Sequence, residues 1–266
     1  MLEKIKWVVA GMVLGISNII PGVSGGTMAV VFGIYDRLIG LIAGFRKKIK
    51  EEWKFLLFLL AGLLVAVFAF SRVMKYLLEN YNALVNCFFI GVKAGSLPLL
   101  VKTGDFKKPK FSSVLAFLIT LGVMIWMTLS RNIGGLDFTS TPRWVMTLLM
   151  LVFGLVSSAC MLIPGISGSF VMVLIGGYTP IINALSSFDV LLLLFYAVGA
   201  VLGIYLCAKA IKSLFSRFHQ QSYAAVIGFV LGSVFVILPP LATFLSVWPY
   251  VLIAVGFLIT FFMNRS

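Results

Sequence analysis

The chain has 266 residues, of which 61% are hydrophobic and 11% charged, with a mean hydropathy of +1.13 and a formal net charge of +13. Soluble domains carry about 25% charged residues, so this composition excludes an ordinary soluble domain and indicates a protein of the lipid bilayer. The positive residues stand between apolar segments, which is typical of membrane topology and argues against a nucleic-acid partner.

The apolar segments predict an all-α polytopic membrane protein built from two similar units. There are five segments in each half of the chain, at 7–20, 25–44, 54–71, 83–101, 111–130, 144–163, 166–186, 189–208, 222–240 and 246–263. A polar link at 131–143 separates a first unit, 1–130, from a second unit, 144–266.

A Pro-Gly-x-Ser-Gly motif interrupts the apolar sequence once in each unit. We call residues 21–25 the first break and residues 164–168 the second break. Proline removes a backbone donor and disfavours helix in the residue before it, which makes Pro21, Gly22, Pro164 and Gly165 the predicted helix-breaking residues. Backbone freed at membrane depth is tolerated only where protein buries it or water reaches it. Paired breaks of this kind point to the binding site of a transporter.

The two units align around the breaks, which indicates an internal duplication. Residues 20–35 match residues 163–178 at an offset of 143, and half of these positions are identical. Further along the offset becomes 137, and it pairs the glycines at 62 and 199, 91 and 228, and 95 and 232.

The segment before the first break predicts a re-entrant hairpin in each unit. Residues 7–20 would form roughly 21 Å of helix, which is too short to cross about 30 Å of hydrocarbon. A hairpin followed by three transmembrane helices crosses the membrane an odd number of times, so the second unit should be inverted. Lys and Arg concentrate at the N-terminus, in the predicted loops 46–54, 102–110 and 209–219, and at the C-terminus. Both termini are therefore predicted to be cytoplasmic.

The residues after each break are typical of an anion site. Ser24 and Ser167 stand at predicted N-cap positions, and small residues follow them, leaving backbone amides at the positive end of a helix dipole. We therefore expect the substrate to be bound by Ser24, Gly25, Gly26, Thr27, Ser167, Gly168 and Ser169. Close packing of small residues is the structural alternative.

Cations near these segments are further candidates for substrate binding. Lys93 lies inside an apolar segment, where an isolated charge is costly. Arg37 follows the first hairpin and either contacts substrate or pairs with Asp36 at headgroup level. Arg72, Lys75 and Arg131 are expected to anchor helix ends at the outer interface. Asn18 is expected to form hydrogen bonds with backbone groups freed at the first break. A helix start stabilises an anion by at most about 2 kcal/mol against a far larger desolvation cost, which predicts a hydrated cavity with at least one cation.

The segment from Gly15 to Thr27, the triplet at 33–35 and the second motif at 164–169 resemble the bacterial polyprenyl-phosphate transporter family. The resemblance covers essentially the whole chain. It implies an inner-membrane flippase that returns undecaprenyl phosphate from the outer to the inner leaflet and so recycles the lipid carrier of cell-wall synthesis. Its substrate partners would be a polyprenyl phosphate and the surrounding membrane lipids.

Two other functions remain open at this point. A transporter of a small soluble anion would need a cavity closed to lipid. An integral-membrane lipid pyrophosphatase would need an acid, a base or an arginine clamp, whereas glycine occupies positions 25 and 168 and the apolar segments contain no glutamate. The sequence indicates no cofactor, no metal and no enzymatic activity. It leaves open a homo-oligomer and a coupling ion.

Overall fold

A computed structural model of the chain describes residues 2–19, 24–130 and 136–263, with backbone alone for residues 2, 18, 19, 45, 46, 67, 69–72, 74, 75 and 263. The predicted break residues Pro21 and Gly22, the side chains of Asn18, Arg72 and Lys75, and Arg131 lie outside this description. The helices are α1 (Leu2–Ile19), α2 (Gly25–Val31), α3 (Tyr35–Ala43), α4 (Phe45–Thr103), α5 (Phe111–Leu129), α6 (Arg143–Leu162), α7 (Gly168–Ile175), α8 (Tyr178–Ser186), α9 (Val190–Arg217), α10 (His219–Ile237) and α11 (Trp248–Met263).

These helices confirm an all-helical, polytopic membrane protein. Among the described residues, five stretches are long and apolar enough to cross a bilayer: Tyr76–Gly104, Phe111–Leu129, Arg143–Leu162, Val190–Arg217 and His219–Ile237. Helices α7 and α8 form a sixth candidate, bent by 106° at the turn between them. Such a bend is typical of a broken span or of a re-entrant loop.

Several predicted segment limits are wrong. The basic stretch 46–54 is helical and belongs to α4, and α9 continues through the predicted loop 209–219 as far as Arg217. Helix α1 has 18 residues and is about 27 Å long. Helix α6 has 20 residues and is about 30 Å long, which is enough to cross the hydrocarbon core. Lys, Arg and Glu are good helix formers, so a helix can continue through a charged stretch beyond its apolar segment.

Each predicted unit contains a residue with non-helical backbone that interrupts its helices, and the two residues stand at equivalent positions. Tyr81 divides α4 into a first arm (45–80) and a second arm (82–103), with φ −135° and ψ 31°. Phe218 separates α9 from α10 with φ −128° and ψ 54°. The two positions differ by 137, the offset found in the sequence.

Glycines allow helices to approach closely at equivalent places. A β-carbon at Gly11 would collide with the carbonyl oxygen of Leu59, where α1 packs on the first arm of α4. A β-carbon at Gly154 would collide with the carbonyl of Tyr196, where α6 packs on α9. Small residues at such crossings let the backbones make the close contacts that hold membrane helices together.

The last helix of each unit packs on the other unit. Helix α11 lies against the second arm of α4, where Gly91 faces the backbone of Ile253. Helix α5 lies against α10, where a β-carbon on Gly228 would be 2.6 Å from the carbonyl oxygen of Phe117. Each of the two predicted units therefore packs its last helix against the other.

The glycine contacts predict which substitutions destabilise the fold. Gly154→Ala should lower stability by about 1–3 kcal/mol, because the new methyl group meets backbone that cannot move aside. Gly122→Ala on α5 is the matched control, since its β-carbon meets no atom within 4 Å. Thermal unfolding of the detergent-solubilised variants should give a lower midpoint for Gly154→Ala and an unchanged or higher midpoint for Gly122→Ala. Equal shifts would contradict the packing described here.

Candidate functional site

Helices α2 and α7 begin in the same way. Ser24 precedes α2 with φ −95° and ψ 130°, and Ser167 precedes α7 with φ −100° and ψ 122°, so each occupies the N-cap position with extended backbone. Neither hydroxyl makes a capping hydrogen bond to the helix that follows. The first-turn amides of both helices thus lack the side-chain acceptor that an N-cap serine usually supplies.

The second break is a sharp turn between α6 and α7. Helix α6 ends at Leu162, Ile163 is extended, and Gly165 has a φ of +91°. A β-carbon at Gly165 would also collide with the carbonyl oxygen of Phe229 on α10. Both the left-handed backbone and this contact require glycine. Pro164 beside it is fully buried.

The start of α2 lies against the second break and satisfies its freed backbone. The Gly165 amide donates to Thr27 Oγ1 at 2.7 Å, and Ser24 Oγ donates to the Ile163 carbonyl at 3.4 Å. A β-carbon on Gly26 would lie 3.0 Å from the Leu162 carbonyl oxygen. The structure therefore brings residues of the two predicted segments into direct contact.

Tyr35 adds a further contact that the sequence reasoning missed. Its hydroxyl donates to the Leu162 carbonyl at 3.0 Å, from the first turn of α3. The sequence signals for Tyr35 were its match with Tyr178, which is exposed, and its place in the triplet at 33–35. Tyr35 also lines a cavity of about 180 Å³ together with Asp36, Thr103 and Tyr223.

The hydroxyl-bearing residues at the starts of α2 and α7 differ in exposure. Ser24 is 4% exposed and Thr27 is fully buried, whereas Ser167 is half-buried and Ser169 is exposed. The Ser167 and Ser169 hydroxyls lie 3.0 Å apart and form a hydrogen bond. In this conformation hydroxyl groups are accessible at the start of α7 and enclosed at the start of α2.

Lys93 places a cation close to the second break. Its side chain is fully buried, and Nζ donates to the carbonyl of Ser233 on α10 at 3.1 Å. Phe229, whose carbonyl contacts Gly165, precedes Ser233 by four residues, or about 6 Å along the helix axis. Phe229 lies about 15 Å along a helix of about 28 Å, and Lys93 is midway along the second arm of α4. Both lie near the centre of their helices.

The predicted Asp36–Arg37 ion pair is wrong. Arg37 donates to Glu52 Oε2 from Nε at 2.9 Å and from a terminal nitrogen at 2.6 Å, while Asp36 accepts from the Tyr223 hydroxyl at 3.1 Å. Successive residues on a helix point about 100° apart, so Asp36 and Arg37 face different neighbours. The Arg37 guanidinium also lies over the rings of Trp7 and Phe55. These contacts hold Arg37 against α1 and the first arm of α4 rather than at the second break.

Comparison with known proteins identifies the family. A family model described as undecaprenyl phosphate translocase-like matches residues 14–248. The chain belongs to this family. It is 29% identical to a polyprenyl-phosphate transporter of Staphylococcus aureus over 99% of this chain and 98% of the relative. It is 27% identical to a polyprenyl-phosphate transporter of Vibrio cholerae over 90% of this chain and 76% of the relative. No solved structure matches the chain.

The described groups at and near the second break are backbone amides, hydroxyls and the buried side-chain amine of Lys93. Within the described residues, no three His, Cys, Asp or Glu side chains come together as a metal site would require. The groups at the second break can bind an anion through hydrogen bonds and charge.

The Thr27–Gly165 hydrogen bond predicts a stability difference between two conservative variants. Thr27→Val should destabilise the structure by about 1–3 kcal/mol, because the buried Gly165 amide loses its acceptor. Thr27→Ser keeps the hydroxyl and should lose less. Midpoints of thermal unfolding for the two variants test the difference, and a Thr27→Val midpoint at or above that of Thr27→Ser would refute the role of this bond.

Proposed function

We propose that this protein is a flippase that carries undecaprenyl phosphate across the bacterial cytoplasmic membrane, from the outer to the inner leaflet. This movement returns the carrier lipid for another round of cell-wall synthesis. Membership in the translocase-like family, the names of the two relatives and the multi-pass fold support it. The observation that carries it is the uncapped start of α7, with Ser167 and Ser169 accessible beside a break near the middle of α10.

The phosphate is bound at the start of α7 by the amides of its first turn and by the hydroxyls of Ser167 and Ser169. A phosphate group brings about −1.5 to −2 charges, which suit the positive end of a helix. The helix start by itself contributes at most about 2 kcal/mol, far less than the cost of removing the phosphate from water. Lys93 supplies the cation, and water at the exposed Ser169 side of the helix start keeps the headgroup partly hydrated.

The two units, 1–130 and 144–266, act as inverted-topology repeats, each with a re-entrant hairpin followed by three transmembrane helices. The glycine contacts at offsets of 143 and 137 support this arrangement, as do the equivalent positions of Tyr81 and Phe218. The bend between α7 and α8 suits the return of a hairpin. The excess of Lys and Arg on one side orients both termini toward the cytoplasm.

Transport proceeds by alternating exposure of the two helix starts. The asymmetry between enclosed Ser24 and accessible Ser167 suits one end state of such a cycle. In the opposite state the Thr27–Gly165 bond opens, and Ser24, Gly25, Gly26 and Thr27 receive the phosphate. A single hydrogen bond contributes only about 1 kcal/mol net, so exchanging it does not prevent the transition.

The serines at the two helix starts should be needed for transport but not for folding. The double variant Ser24→Ala with Ser167→Ala should lower the flipping rate in proteoliposomes by about tenfold or more, because two hydrogen bonds to a charged group are lost. Ser216→Ala, at the exposed end of α9, is the control and should flip at the wild-type rate. A wild-type rate in the double variant would exclude both serines from the transport site.

Lys93 should determine affinity for the phosphate. Lys93→Met removes the charge while keeping an unbranched side chain, and should weaken binding of undecaprenyl phosphate by about 10–100-fold. Lys102→Met, at the exposed end of the same helix, should leave binding unchanged. Titration of purified protein in nanodiscs checks both variants. Unchanged affinity of Lys93→Met would remove Lys93 from the site.

The substrate class can be tested without any variant. Native mass spectrometry of the protein purified in mild detergent should detect a co-purifying polyprenyl phosphate. Retention of a small soluble anion instead would favour a transporter of that anion and contradict the flippase.

A further inference from the structure

A groove of about 450 Å³ lies beside the second break, between α7 and the ends of α5 and α6. Its size is within the range of about 300–1,000 Å³ that is usual for small-molecule sites. Its lining is apolar apart from one hydroxyl and one thiol, and consists of Trp126, Met127, Ser130, Cys160, Ile166, Val171, Leu174 and Ile175.

The groove is continuous with the proposed phosphate site. Ile166 lines the groove and immediately precedes Ser167, the N-cap of α7. Cys160 lines it from the last turn of α6, just before the break. From this end the groove follows α7 as far as Ile175, over about 12 Å of helix.

The groove has a buried floor and an open rim. Met127 and Ile166 are each 7% exposed and pack together, forming the floor. Trp126, one residue from Met127 on α5, is 66% exposed and stands at the rim. A ligand in this groove would bury apolar surface along its length while one end reached the accessible hydroxyls of Ser167 and Ser169.

We propose, resting on the function above, that this groove binds the part of the isoprenoid tail nearest the phosphate during transport. The substrate joins a phosphate to an apolar, methyl-branched chain, and the groove joins a polar helix start to a mostly apolar lining. Van der Waals contacts between the tail and the groove add affinity that free phosphate cannot gain, so the groove selects a phosphate on a prenyl chain over free phosphate. A small soluble anion would leave this apolar surface unused.

The test compares two adjacent residues of α7 and two ligands. Leu174 lines the groove, whereas Val173 is 43% exposed and lies outside its lining. Leu174→Trp fills the groove and should weaken binding of undecaprenyl phosphate about tenfold, since packing contacts with the tail are lost. Its binding of geranyl monophosphate, whose short chain occupies little of the groove, should change much less. Val173→Trp is the matched control and should bind both ligands like the wild type.

The ligand pair separates this inference from the function on which it depends. Ser167→Ala should weaken both ligands equally, because it acts on the phosphate. If Leu174→Trp weakens both ligands equally or neither, the groove does not bind the tail, and the phosphate site still stands. If wild-type protein binds neither ligand, the flippase function fails as well.

A second measurement does not depend on the folding of Leu174→Trp. With Cys87 and Cys207 replaced by Ser, Cys160 becomes the single thiol and reports on the groove. Undecaprenyl phosphate should slow N-ethylmaleimide labelling of Cys160 several-fold, whereas geranyl monophosphate and a diacyl phospholipid should not. Labelling slowed equally by the phospholipid would assign the groove to bulk lipid, and labelling that no ligand slows would overturn the proposal.

Discussion

Backbone released from a helix in the bilayer must find a partner inside the protein, and the structure around the second break follows from this constraint. Each such group left unpaired in hydrocarbon costs several kcal/mol. The Gly165 amide finds its partner in Thr27, and the Ile163 carbonyl accepts from the Ile166 amide within the turn and also from Ser24. The second break therefore cannot be understood alone, because the start of α2 completes the turn between α6 and α7.

The same arrangement separates rigid from adjustable parts of the molecule. Glycine crossings hold α1 on α4 and α6 on α9 so closely that no β-carbon fits. Helices α5 and α11 pack across to the opposite unit and tie the two units together. The contact between α2 and the second break rests instead on a few hydrogen bonds and small side chains, which can be exchanged at little net cost. A carrier needs such a joint between firmly packed elements.

In the proposed mechanism a charged side chain binds the phosphate and an apolar groove binds the tail. Lys93 and Gly165 contact residues of α10 that lie about one helical turn apart, which is why we propose that the bound headgroup meets the Lys93 side chain. The groove along α7 offers the tail an environment much like the lipid it leaves. Arg37 has a structural role in this conformation. Its contacts with Glu52, Trp7 and Phe55 link α3 to α1 and α4.

Local features of the sequence were enough to predict the helical membrane class, the family, the turn at Pro164 and Gly165, and the N-cap positions of Ser24 and Ser167. Proline and glycine determine the turn, and serine favours the N-cap position, through local chemistry that needs no distant partner. Hydropathy indicates which segments are surrounded by lipid. Helix limits were less predictable, because basic residues such as those at 46–54 continue a helix into water. Only the tertiary structure decided that Arg37 pairs with Glu52, that Tyr35 reaches Leu162, and that α5 and α11 cross to the other unit. Each of these contacts joins residues on different helices, in most cases more than a hundred residues apart in the sequence. Local conformational preferences do not determine which helices pack together.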